Sequence, residues 1–339
     1  MKIAIVGTRG IPNRYGGFEQ CAEYLAVGLV KRGHDVTVYN SHVHPHQESN
    51  WNGVNIVHCH NPEEKLGTGG LFIYDLNCIL HTRKQQYDVI LMLGYTSSSV
   101  WGWLYPKSKS VVTTNMDGLE WKRTKFSKPI QTFLKFAEYL GVHFSNHLVA
   151  DSVGIQQHLK KKYKRDAVYI PYGSHIFKTP EEQYIVPYGV QPYSYDMLIA
   201  RLEPENSIET ILDGVAQAGV QRDFLVIGNH STKYGAFLKE KYKEHNNIRF
   251  LGSIYDINVL NNLRFFSNIY FHGHTVGGTN PSLLEAMGSC ALICAHDNIF
   301  NKSILKEEAF YFTSPADISK CLISIDKQKE FHKNKIFKV

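Results

Sequence analysis

The sequence predicts an α/β protein built from two doubly wound, Rossmann-like domains that face a common cleft. The chain has 339 residues, which exceeds what one hydrophobic core usually organises. Short apolar, often β-branched runs alternate with longer helical patterns along its whole length. Because these runs are apolar nearly throughout, we interpret them as parallel strands that helices cover on both faces.

Thirteen such runs are predicted strands. Seven belong to a first domain, residues 1–175, and they are 2–7, 35–40, 54–60, 88–94, 110–116, 147–152 and 167–173. Six belong to a second domain, residues 195–320, and they are 195–202, 223–229, 248–253, 268–274, 290–296 and 309–314. Residues 176–194 are rich in Pro, Tyr and Gly and are predicted to connect the domains. Residues 321–339 are interpreted as a basic C-terminal helix that could return to the first domain.

Composition argues against several classes of protein. No apolar run approaches the roughly 18 to 20 residues that span a bilayer, and the start MKIAIVG has no secretory leader, so we expect a cytoplasmic location. The six cysteines are scattered, mostly in apolar runs, and are interpreted as reduced core residues.

Positive charge is concentrated in residues 101–165. This stretch holds 12 Lys or Arg against four Asp or Glu, a local +8, whereas the whole chain carries +6. Such a patch suits an anionic membrane surface or a phosphorylated substrate, and it is equally typical of a solvated helix face. Nucleic acid is not expected as a partner, because the patch carries no RNA- or DNA-binding motif.

The first loop, GTRGIPNRYGGFEQ, combines several glycines with a helix start. Their spacing is not the G-x-G-x-x-G of dinucleotide-binding proteins. Gly16 and Gly17 directly precede a predicted helix, where the missing side chains would let a ligand approach the backbone. A long loop with a glycine turn explains the same residues without a ligand.

Candidate phosphate contacts follow two strands of the second domain. Arg201 stands just past the carboxyl end of its strand, where a guanidinium can form two parallel hydrogen bonds with a phosphate. The alternative is a surface arginine paired with Glu203 or Glu205. Gly228 offers close approach to the backbone after the next strand, and Lys233 offers another cation.

The motif GGTNPSLLEAMG gives the most specific signal. Asn280 is a good N-cap and Pro281 suits the first helical position, so a helix should begin there with unpaired N–H groups that attract anions. We expect Leu284, Met287 and Ala291 on the core face of this helix. Glu285 should lie opposite and lean back over the loop, because helical side chains point toward the N-terminus. The site would offer donors to a diphosphate and an acceptor to sugar hydroxyls, unless Glu285 is merely salt-bridged.

Together, ARLEPEN, GGTNPSLLEAMG, IPYG and the glycine pair of YGGFE resemble glycosyltransferase family 4, which has the GT-B fold. The stretches GTRGIPNRYGGFE, NMDGLEWKRTKFS and ADSVGIQQHLKKKY are more closely similar to its rhamnosyltransferase-like branch, whose N-terminal half is often described only as a domain of unknown function. The resemblance covers nearly the whole chain. It implies a sugar transferred from a nucleotide donor, held mainly by the second domain, to an acceptor held by the first.

The resemblance also implies roles for individual residues. Glu285 would bind ribose-type hydroxyls, and Gly278, Thr279 and Asn280 would line the donor site with backbone N–H groups. Arg201 would neutralise the diphosphate, and the glycine pair of YGGFE would approach it from the first domain.

Two positions depart from the wider family but not from the branch. Gly277 replaces an acid eight positions before the helix glutamate, and Asn206 replaces a lysine five positions after the arginine. These departures leave a catalytically silent nucleotide- or glycan-binding protein as one alternative. A nucleotide-sugar epimerase of the same fold is another, and it would convert free donor without an acceptor.

Acceptor-side residues are predicted around NMDGLEW. Asp117 is a candidate to position or deprotonate the acceptor hydroxyl, although Asp before Gly also favours a turn. Glu120 and Arg123 would hold the acceptor or form a local helix pair. The expected reaction moves a hexosyl group, with rhamnosyl from dTDP-rhamnose as the leading donor, to a polysaccharide or lipid-linked glycan.

Neither a metal nor another cofactor is expected. The sequence contains no D-x-D pair for a metal-bound nucleotide sugar. HVHPH and HCH alternate histidines but lack the cysteine pairs or E-x-x-H spacing of zinc sites. Because family acceptors are commonly lipid-linked, we expect peripheral association with the inner face of the membrane through the first domain. The lysines expected to contribute are Lys160, Lys161, Lys162 and Lys164.

Overall fold

A computed structural model describes residues 1–14, 16–116, 118–122, 126–275 and 279–330. The chain divides into two compact units, of which the first is Met1–Pro171 and the second begins at Tyr172. Each unit is an α/β domain around a parallel sheet, so the predicted pair of Rossmann-like domains is confirmed.

Within its described residues, the first unit has eight strands and five α-helices. The strands are β1 (Lys2–Val6), β2 (Asp35–Ser41), β3 (Asn50–Trp51), β4 (Val54–Cys59), β5 (Val89–Leu93), β6 (Val111–Asn115), β7 (His147–Ala150) and β8 (Val168–Tyr169). The helices are α1 (Gly17–Val30), α2 (Glu63–Leu66), α3 (Gly70–Thr82), α4 (Lys128–Phe144) and α5 (Val153–Tyr163). The sheet order is β3-β4-β2-β1-β5-β6-β7-β8, and only β3 runs antiparallel to its neighbour.

The two faces of this sheet explain why its strands are apolar throughout. On one face, Ala4 and Val6 of β1 share a core with Tyr74 of α3. On the other face, Ile5 shares a core with Ala22 of α1. Full burial of a side chain such as Ile5 contributes about 1.5–3 kcal/mol, so both helices are held on the sheet by residues of the same strand.

The part of the second unit that the structure describes has six strands and seven α-helices. The strands are β9 (Tyr195–Ile199), β10 (Asp223–Ile227), β11 (Ile248–Gly252), β12 (Tyr270–His272), β13 (Ile293–His296) and β14 (Phe310–Phe312). The helices are α6 (Ile208–Ala218), α7 (Lys233–Lys241), α8 (Ile257–Phe266), α9 (Pro281–Gly288), α10 (Ile299–Leu305), α11 (Pro315–Ser324) and α12 (Lys327–Glu330). All its strands are parallel, in the order β11-β10-β9-β12-β13-β14.

The strand order locates the binding edge of each unit. In the second unit the order reverses between β9 and β12, and in the first unit it reverses between β1 and β5. Doubly wound sheets bind ligands beyond the carboxyl ends of their strands at such switch points. The loops after β9 and β12 are therefore the first place to look for a ligand site in the second unit.

The segment predicted as the connection, residues 176–194, is packed onto the second unit. Ile185 and Val190 are buried in a core that also contains Tyr195. The backbone N–H of Glu181 donates to the side chain of Asn262 at 2.7 Å. The division between the units therefore comes earlier than predicted, after Pro171.

The C-terminal segment also packs on the second unit as far as the structure describes it. The backbone N–H of Lys327 donates to the side-chain oxygen of Asn268 at 2.8 Å, and its ammonium group donates to the carbonyl oxygen of Phe265. The remainder of the predicted 321–339 helix, residues 331–339, lies outside the described residues.

Lys327 should make the stability of the protein depend on pH. Burial lowers the pKa of its ammonium group from 10.5 to about 7. At a pH between these two values, Lys327 is protonated in the unfolded chain and neutral in the folded chain. The free energy of unfolding should therefore rise with pH in this range. Relative to Lys327→Met, we expect denaturant titrations to show a rise approaching 1.4 kcal/mol per pH unit above about pH 7. Lys329→Met, on the same helix but exposed, is the control, and equal pH profiles for wild type and Lys327→Met would contradict this account.

Candidate functional site

The loops that follow β9 and β12 are joined to each other at the switch point of the second unit. The backbone N–H and the hydroxyl of Thr275 both donate to the carbonyl oxygen of Glu205, at 3.1 and 2.8 Å. A Cβ atom on Gly273 would come within 2.1 Å of the carbonyl oxygen of Asn206. These contacts give the two loops one fixed arrangement.

Arg201 lies on the first of these loops. Its side chain is exposed, and within the described residues it forms no ion pair with Glu203 or Glu205. The side-chain amide of Asn206 donates to the carbonyl oxygen of Arg201 at 2.7 Å. Asn206 therefore closes the loop that carries the arginine.

Helix α9 begins at Pro281 with Asn280 as its N-cap, as the local sequence predicts. The Asn280 side-chain oxygen accepts hydrogen bonds from the backbone N–H and the hydroxyl of Ser282, both at 2.9 Å. Its carbonyl oxygen accepts from the N–H of Leu283 at 3.1 Å. The unpaired first-turn N–H groups expected from the sequence are therefore partly used. Donors for a ligand would have to come from residues before Pro281, where Thr279 is buried and Gly278 lies outside the described residues.

Glu285 forms an ion pair with Arg264, a partner that the sequence did not indicate. The Nη2 atom of Arg264, on α8, donates to its Oε2 atom at 2.6 Å. Arg264 is only 1% exposed, and its Nη1 atom donates to the side-chain oxygen of Asn261 at 3.1 Å. The salt bridge considered as the alternative for Glu285 thus exists, and it fixes the direction of the carboxylate.

The buried face of α9 differs from the predicted one. Leu283 and Ala286 are fully buried, whereas Leu284 and Met287 are half-buried. Successive residues of a helix lie about 100° apart around its axis. The buried positions are Leu283 and Ala286 instead of Leu284 and Met287, so the buried face of α9 is turned by about 100° from the predicted one. This rotation brings Glu285 toward Arg264 of α8 rather than directly away from the core.

Gly228 and Lys233 follow β10 on the same edge of the sheet. A Cβ atom on Gly228 would lie 2.1 Å from the carbonyl oxygen of Ala200, so the close approach that the glycine permits is to the protein's own backbone. The N–H of Gly228 donates to the carbonyl oxygen of Gly252 at 2.9 Å. Lys233 is the exposed first residue of α7.

Substitution of Gly228 by alanine should destabilise the second unit. The added methyl group would displace the Ala200 carbonyl, and overpacking of this kind costs about 1–3 kcal/mol. Gly173→Ala is the control, because a Cβ atom there meets nothing within 4 Å. Chemical denaturation would measure both, and equal stabilities of the two variants would contradict the steric account.

A stacked pair of histidines, His272 at the end of β12 and His274 in the loop that follows, is not among the residues predicted from the sequence. The rings of His272 and His274 lie 4.4 Å apart and are nearly parallel. Burial lowers the pKa of His272 well below its usual value, and neither ring nitrogen has a partner among the described residues. A neutral, buried imidazole without partners is uncommon, since such groups usually find hydrogen bonds. The paired spacing HGH was the only signal in the sequence.

The glycine pair of the first unit lies beside a carboxylate. Gly16 has a positive φ of 117°, and a Cβ atom there would come 2.1 Å from the Oε2 atom of Glu19. The other oxygen of Glu19 accepts from the backbone N–H of Arg9 at 2.9 Å. Gly17, the first residue of α1, is exposed. The absent side chain of Gly16 therefore makes room for Glu19.

The predicted acceptor region is only partly described. Asp117 and Arg123 lie outside the described residues, whereas Glu120 begins a 3-10 turn, Glu120–Lys122. The indole Nε1 of Trp121, within this turn, donates to the Oε2 atom of Glu138 at 2.9 Å. Glu120 thus sits on a turn that is tied to helix α4.

Glu138 is an anchor that the sequence did not reveal. Besides Trp121, it accepts hydrogen bonds from Nε2 of His158, Nζ of Lys162 and the hydroxyl of Tyr163, at 3.1, 2.7 and 2.6 Å. Burial alone would raise the pKa of Glu138, but these four donors outweigh it and hold the pKa at about 2. A fully satisfied buried carboxylate fixes the elements that donate to it.

The histidine-rich strands do not assemble a metal site within the described parts of the chain. The rings of His42 and His60 lie 4.6 Å apart. Nowhere in those parts do three or more His, Cys, Asp or Glu side chains come together in a way that could hold a metal ion. Metal independence remains a prediction from the sequence.

Solved structures similar to this chain define its class of fold. Sucrose-phosphate synthase from Thermosynechococcus elongatus matches with a TM-score of 0.75 and 14% identity, over 98% of this chain and 90% of that one. HepE from Anabaena, in complex with UDP, matches with a TM-score of 0.73 and 16% identity, over 99% and 92%. A trehalose 6-phosphate synthase from Burkholderia multivorans gives 0.66 and 11%, over 98% and 93%. The fold is therefore that of the GT-B glycosyltransferases.

The match that assigns the chain to a family covers the first unit. The chain belongs to the family described as "Domain of unknown function (DUF1972)", whose model matches residues 1–175. No curated protein matches the sequence.

Proposed function

We propose that the protein is a glycosyltransferase that moves a hexosyl group from a nucleoside diphosphate sugar to a hydroxyl of a glycan acceptor. The observation that carries the proposal is the loop pair at the switch point of the second unit. It combines the exposed guanidinium of Arg201 with the start of α9 and with a carboxylate whose direction Arg264 fixes. Arg201 supplies a cation for phosphates, and Glu285 supplies an acceptor for hydroxyls, on one edge of the sheet. A nucleotide sugar presents both of these groups.

The proposed chemistry depends on charge that develops on the leaving diphosphate. As the anomeric C–O bond breaks, Arg201 and backbone N–H groups before Pro281 would stabilise that charge, with Lys233 as a further cation. Glu285 would accept hydrogen bonds from sugar hydroxyls of the donor nucleotide. The absence of D-x-D from the sequence leads us to propose that these groups replace a metal ion, so chelators should leave activity unchanged.

We propose dTDP-rhamnose as the donor, in line with the sequence resemblance to the rhamnosyltransferase-like branch. UDP-glucose is the competing donor, since HepE was solved in complex with UDP-glucose. On the acceptor side we propose Asp117, Glu120 and Arg123, of which only Glu120 is described. The Trp121–Glu138 bond supports this placement, because it holds the turn that carries Glu120 in one position.

Peripheral membrane association is proposed through α4 rather than through the lysine cluster of α5. In that cluster, Lys160 pairs with Asp166 at 2.6 Å and Lys162 pairs with Glu138. Helix α4 exposes Phe136 and Tyr139, and the exposed lysines Lys128 and Lys135 lie on the same helix. Its one acid, Glu138, is buried, so the exposed face combines aromatic rings with positive charge, as anionic headgroups require.

Vesicle co-sedimentation tests this surface. Phe136→Ser/Tyr139→Ser should weaken binding to phosphatidylcholine vesicles that contain phosphatidylglycerol. Tyr255→Ser, at an aromatic residue that is 78% exposed in the second unit, is the matched control. Equal binding of both variants, or binding that does not depend on phosphatidylglycerol, would overturn the assignment.

In the described part of the chain, no helix has the length and apolarity that would let it cross a membrane.

Thermal unfolding against thymidine, uridine and guanosine diphosphates tests the donor site. A ligand at 100 times its dissociation constant adds about 2.7 kcal/mol to the free energy of unfolding. We expect the thymidine nucleotide to stabilise wild type most, and Arg201→Ala to lose most of the shift. A uridine preference would replace the proposed donor, and silence across the panel would overturn the donor site. Conversion of free donor without acceptor would indicate an epimerase instead.

A further inference from the structure

Two cysteines of the second unit bring their sulfur atoms into contact. The thiol of Cys294, on β13, donates to the sulfur of Cys321, on α11, and the two Sγ atoms lie 3.8 Å apart. The two residues are 27 positions apart in the chain, so the fold brings them together and the local sequence does not. Both are free thiols in the structure, so the pair is in its reduced form.

The elements that carry these thiols are fixed in the core. Cys294 is fully buried on a strand that pairs with β12 on one side and β14 on the other. Helix α11 begins with a capping box, in which Ser314 and Asp317 accept hydrogen bonds from each other's backbone N–H groups at 3.0 and 3.3 Å. Its Ile318 packs so closely on α6 that a Cβ atom on Gly214 would lie 2.6 Å from the Cβ atom of Ile318. The contact between the sulfurs is therefore a property of the packed core.

The two sulfur atoms are within reach of a disulfide bond. A disulfide holds its sulfurs about 2.05 Å apart, so these atoms would have to approach each other by about 1.8 Å. Each sulfur lies one bond beyond its Cβ atom, and rotation about χ1 moves it while the backbone stays in place. We expect rotations of the two side chains, and no large movement of β13 or α11, to close this distance.

The two thiols differ in exposure and in acidity. Cys294 is 0% exposed, whereas Cys321 is 9% exposed and lies two positions before the exposed Ile323. Cys321 accepts the hydrogen bond from Cys294, which stabilises its thiolate and lowers its pKa. Burial raises the pKa of Cys294 well above its usual value. The thiolate is the reactive form of a cysteine, so Cys321 is the nucleophile of the pair and the thiol that a small oxidant meets first.

The other four cysteines show what sets this pair apart. Cys21 and Cys290 are half-buried, and neither forms a hydrogen bond with another thiol within the residues that the structure describes. Burial raises the pKa of Cys21 to about 11 and also raises that of Cys290. Cys59 and Cys78 of the first unit interact with each other, since a hydrogen bond from Cys78 lowers the pKa of Cys59. An oxidation product must therefore be located along the chain, because a count of thiols does not distinguish the two pairs.

We propose that Cys294 and Cys321 form a site of reversible oxidation by hydroperoxides, at which the two thiols become an intramolecular disulfide. The proposal is independent of the proposed transferase function. Transient disulfides of this kind occur in compartments that otherwise keep thiols reduced, which agrees with the free thiols of the structure.

The reaction has two steps. The thiolate sulfur of Cys321 attacks one oxygen of hydrogen peroxide, the O–O bond breaks, and hydroxide leaves as Cys321 becomes a sulfenic acid. The sulfur of Cys294 then attacks the sulfur of Cys321, and the hydroxyl group leaves as water with the proton of the Cys294 thiol. The two thiols together lose two electrons and two protons, and one peroxide becomes two waters. A dithiol reverses the reaction by thiol–disulfide exchange.

Peptide mapping of the full chain after treatment with hydrogen peroxide tests the proposal. Remaining thiols are blocked with iodoacetamide, and the protein is digested with trypsin in the absence of a reductant. Cleavage after lysine and arginine leaves Cys294 on residues 265–302 and Cys321 on residues 321–327. We expect these two peptides to be joined, with a mass about 2 Da below their sum because two hydrogen atoms are lost. Dithiothreitol should separate them.

Cys290→Ala is the matched control. Cys290 lies on the same tryptic peptide as Cys294, so its removal leaves one thiol there, and the variant should form the cross-link to the same extent as wild type. In Cys294→Ala, the sulfenic acid of Cys321 should persist long enough for dimedone to trap it. In Cys321→Ala, Cys294 should stay reduced, because it has no exposed surface.

Three results would overturn the proposal. They are the absence of the joined peptide from oxidised wild type, a bond from Cys321 to Cys290 in place of Cys294, and equal oxidation of Cys294 in wild type and Cys321→Ala. The first two are read from wild type and Cys290→Ala, so a folding defect in the variants of the pair does not affect them.

Chemical denaturation gives a second readout. The bond would close a loop that contains α10, β14 and most of α11, and a closed loop restricts the unfolded chain. Compared with Cys321→Ala treated in the same way, wild type should unfold at a higher denaturant concentration after oxidation, and dithiothreitol should remove the difference. A lower midpoint in oxidised wild type than in oxidised Cys321→Ala would contradict a bond that forms within the native fold.

Discussion

Replacement of Glu285 by alanine should lower the free energy of unfolding by about 3–5 kcal/mol and abolish donor binding. The stability loss follows from Arg264, whose guanidinium is 1% exposed and would keep its charge without its partner carboxylate. Glu240→Ala is the matched control, since it removes the same group from an exposed pair with Lys243. Chemical denaturation of both variants measures the difference, and similar stabilities would contradict burial of the Arg264 charge.

The double variant Arg264→Met/Glu285→Met separates the structural role of the pair from its functional role. Well-packed apolar residues often replace a buried ion pair with little loss of stability, so most of the stability should return. Donor binding should not return, because methionine cannot accept hydrogen bonds from sugar hydroxyls as a carboxylate does. A double variant that still shows nucleotide-dependent stabilisation would restrict Glu285 to a structural role.

The strands were predictable because their environment is uniform. Each of the thirteen predicted runs coincides with one observed strand, and only β2 extends beyond its run, by the residue Ser41. The agreement arises because helices on both faces demand apolar residues at successive positions. Strand β3 was missed because its two residues, Asn50 and Trp51, form a short antiparallel edge that leaves no periodic pattern. The start of α9 was equally predictable, because Asn280 and Pro281 act locally.

Residues that act through distant partners were not predictable in the same way. Arg264 stands 21 positions before Glu285 and on another helix, so no spacing rule connects them. The available signal was an arginine among Leu263, Phe265 and Phe266, which indicates a buried charge in need of a partner. Glu138 is similar, because its donors come from two other segments of the chain, the turn that carries Trp121 and helix α5.

The reason for Gly16 was within reach of the sequence. Glu19 occupies the third helical position after this N-cap glycine, where an acidic side chain commonly reaches back to backbone N–H groups. Here it reaches the N–H of Arg9 and fills the space that any side chain at Gly16 would need. The approach of a ligand to Gly16 and Gly17 stays a prediction from the pattern of neighbouring glycines.

Arg201→Ala should reduce sugar transfer about 100-fold while leaving the fold intact. Loss of one preorganised donor to a developing charge typically costs on this order in rate. The stability should change little, because the side chain is exposed and forms no ion pair among the described residues. Arg201→Lys should recover only part of the rate, since an ammonium group cannot make the two parallel bonds of a guanidinium.

Salt dependence supplies the readout that a merely structural arginine would not give. If Arg201 contacts the diphosphate, raising the ionic strength should weaken donor binding in wild type more than in Arg201→Ala, because screening acts on a charge that the variant lacks. Arg32→Ala, at an arginine whose Nη1 bonds only the carbonyl of Gly28 in the described residues, is the control and should behave like wild type. Equal salt profiles in wild type and Arg201→Ala, together with unchanged turnover, would remove Arg201 from the donor site. That outcome would leave Lys233 as the remaining candidate cation on this edge of the sheet, since both follow adjacent strands of the second unit.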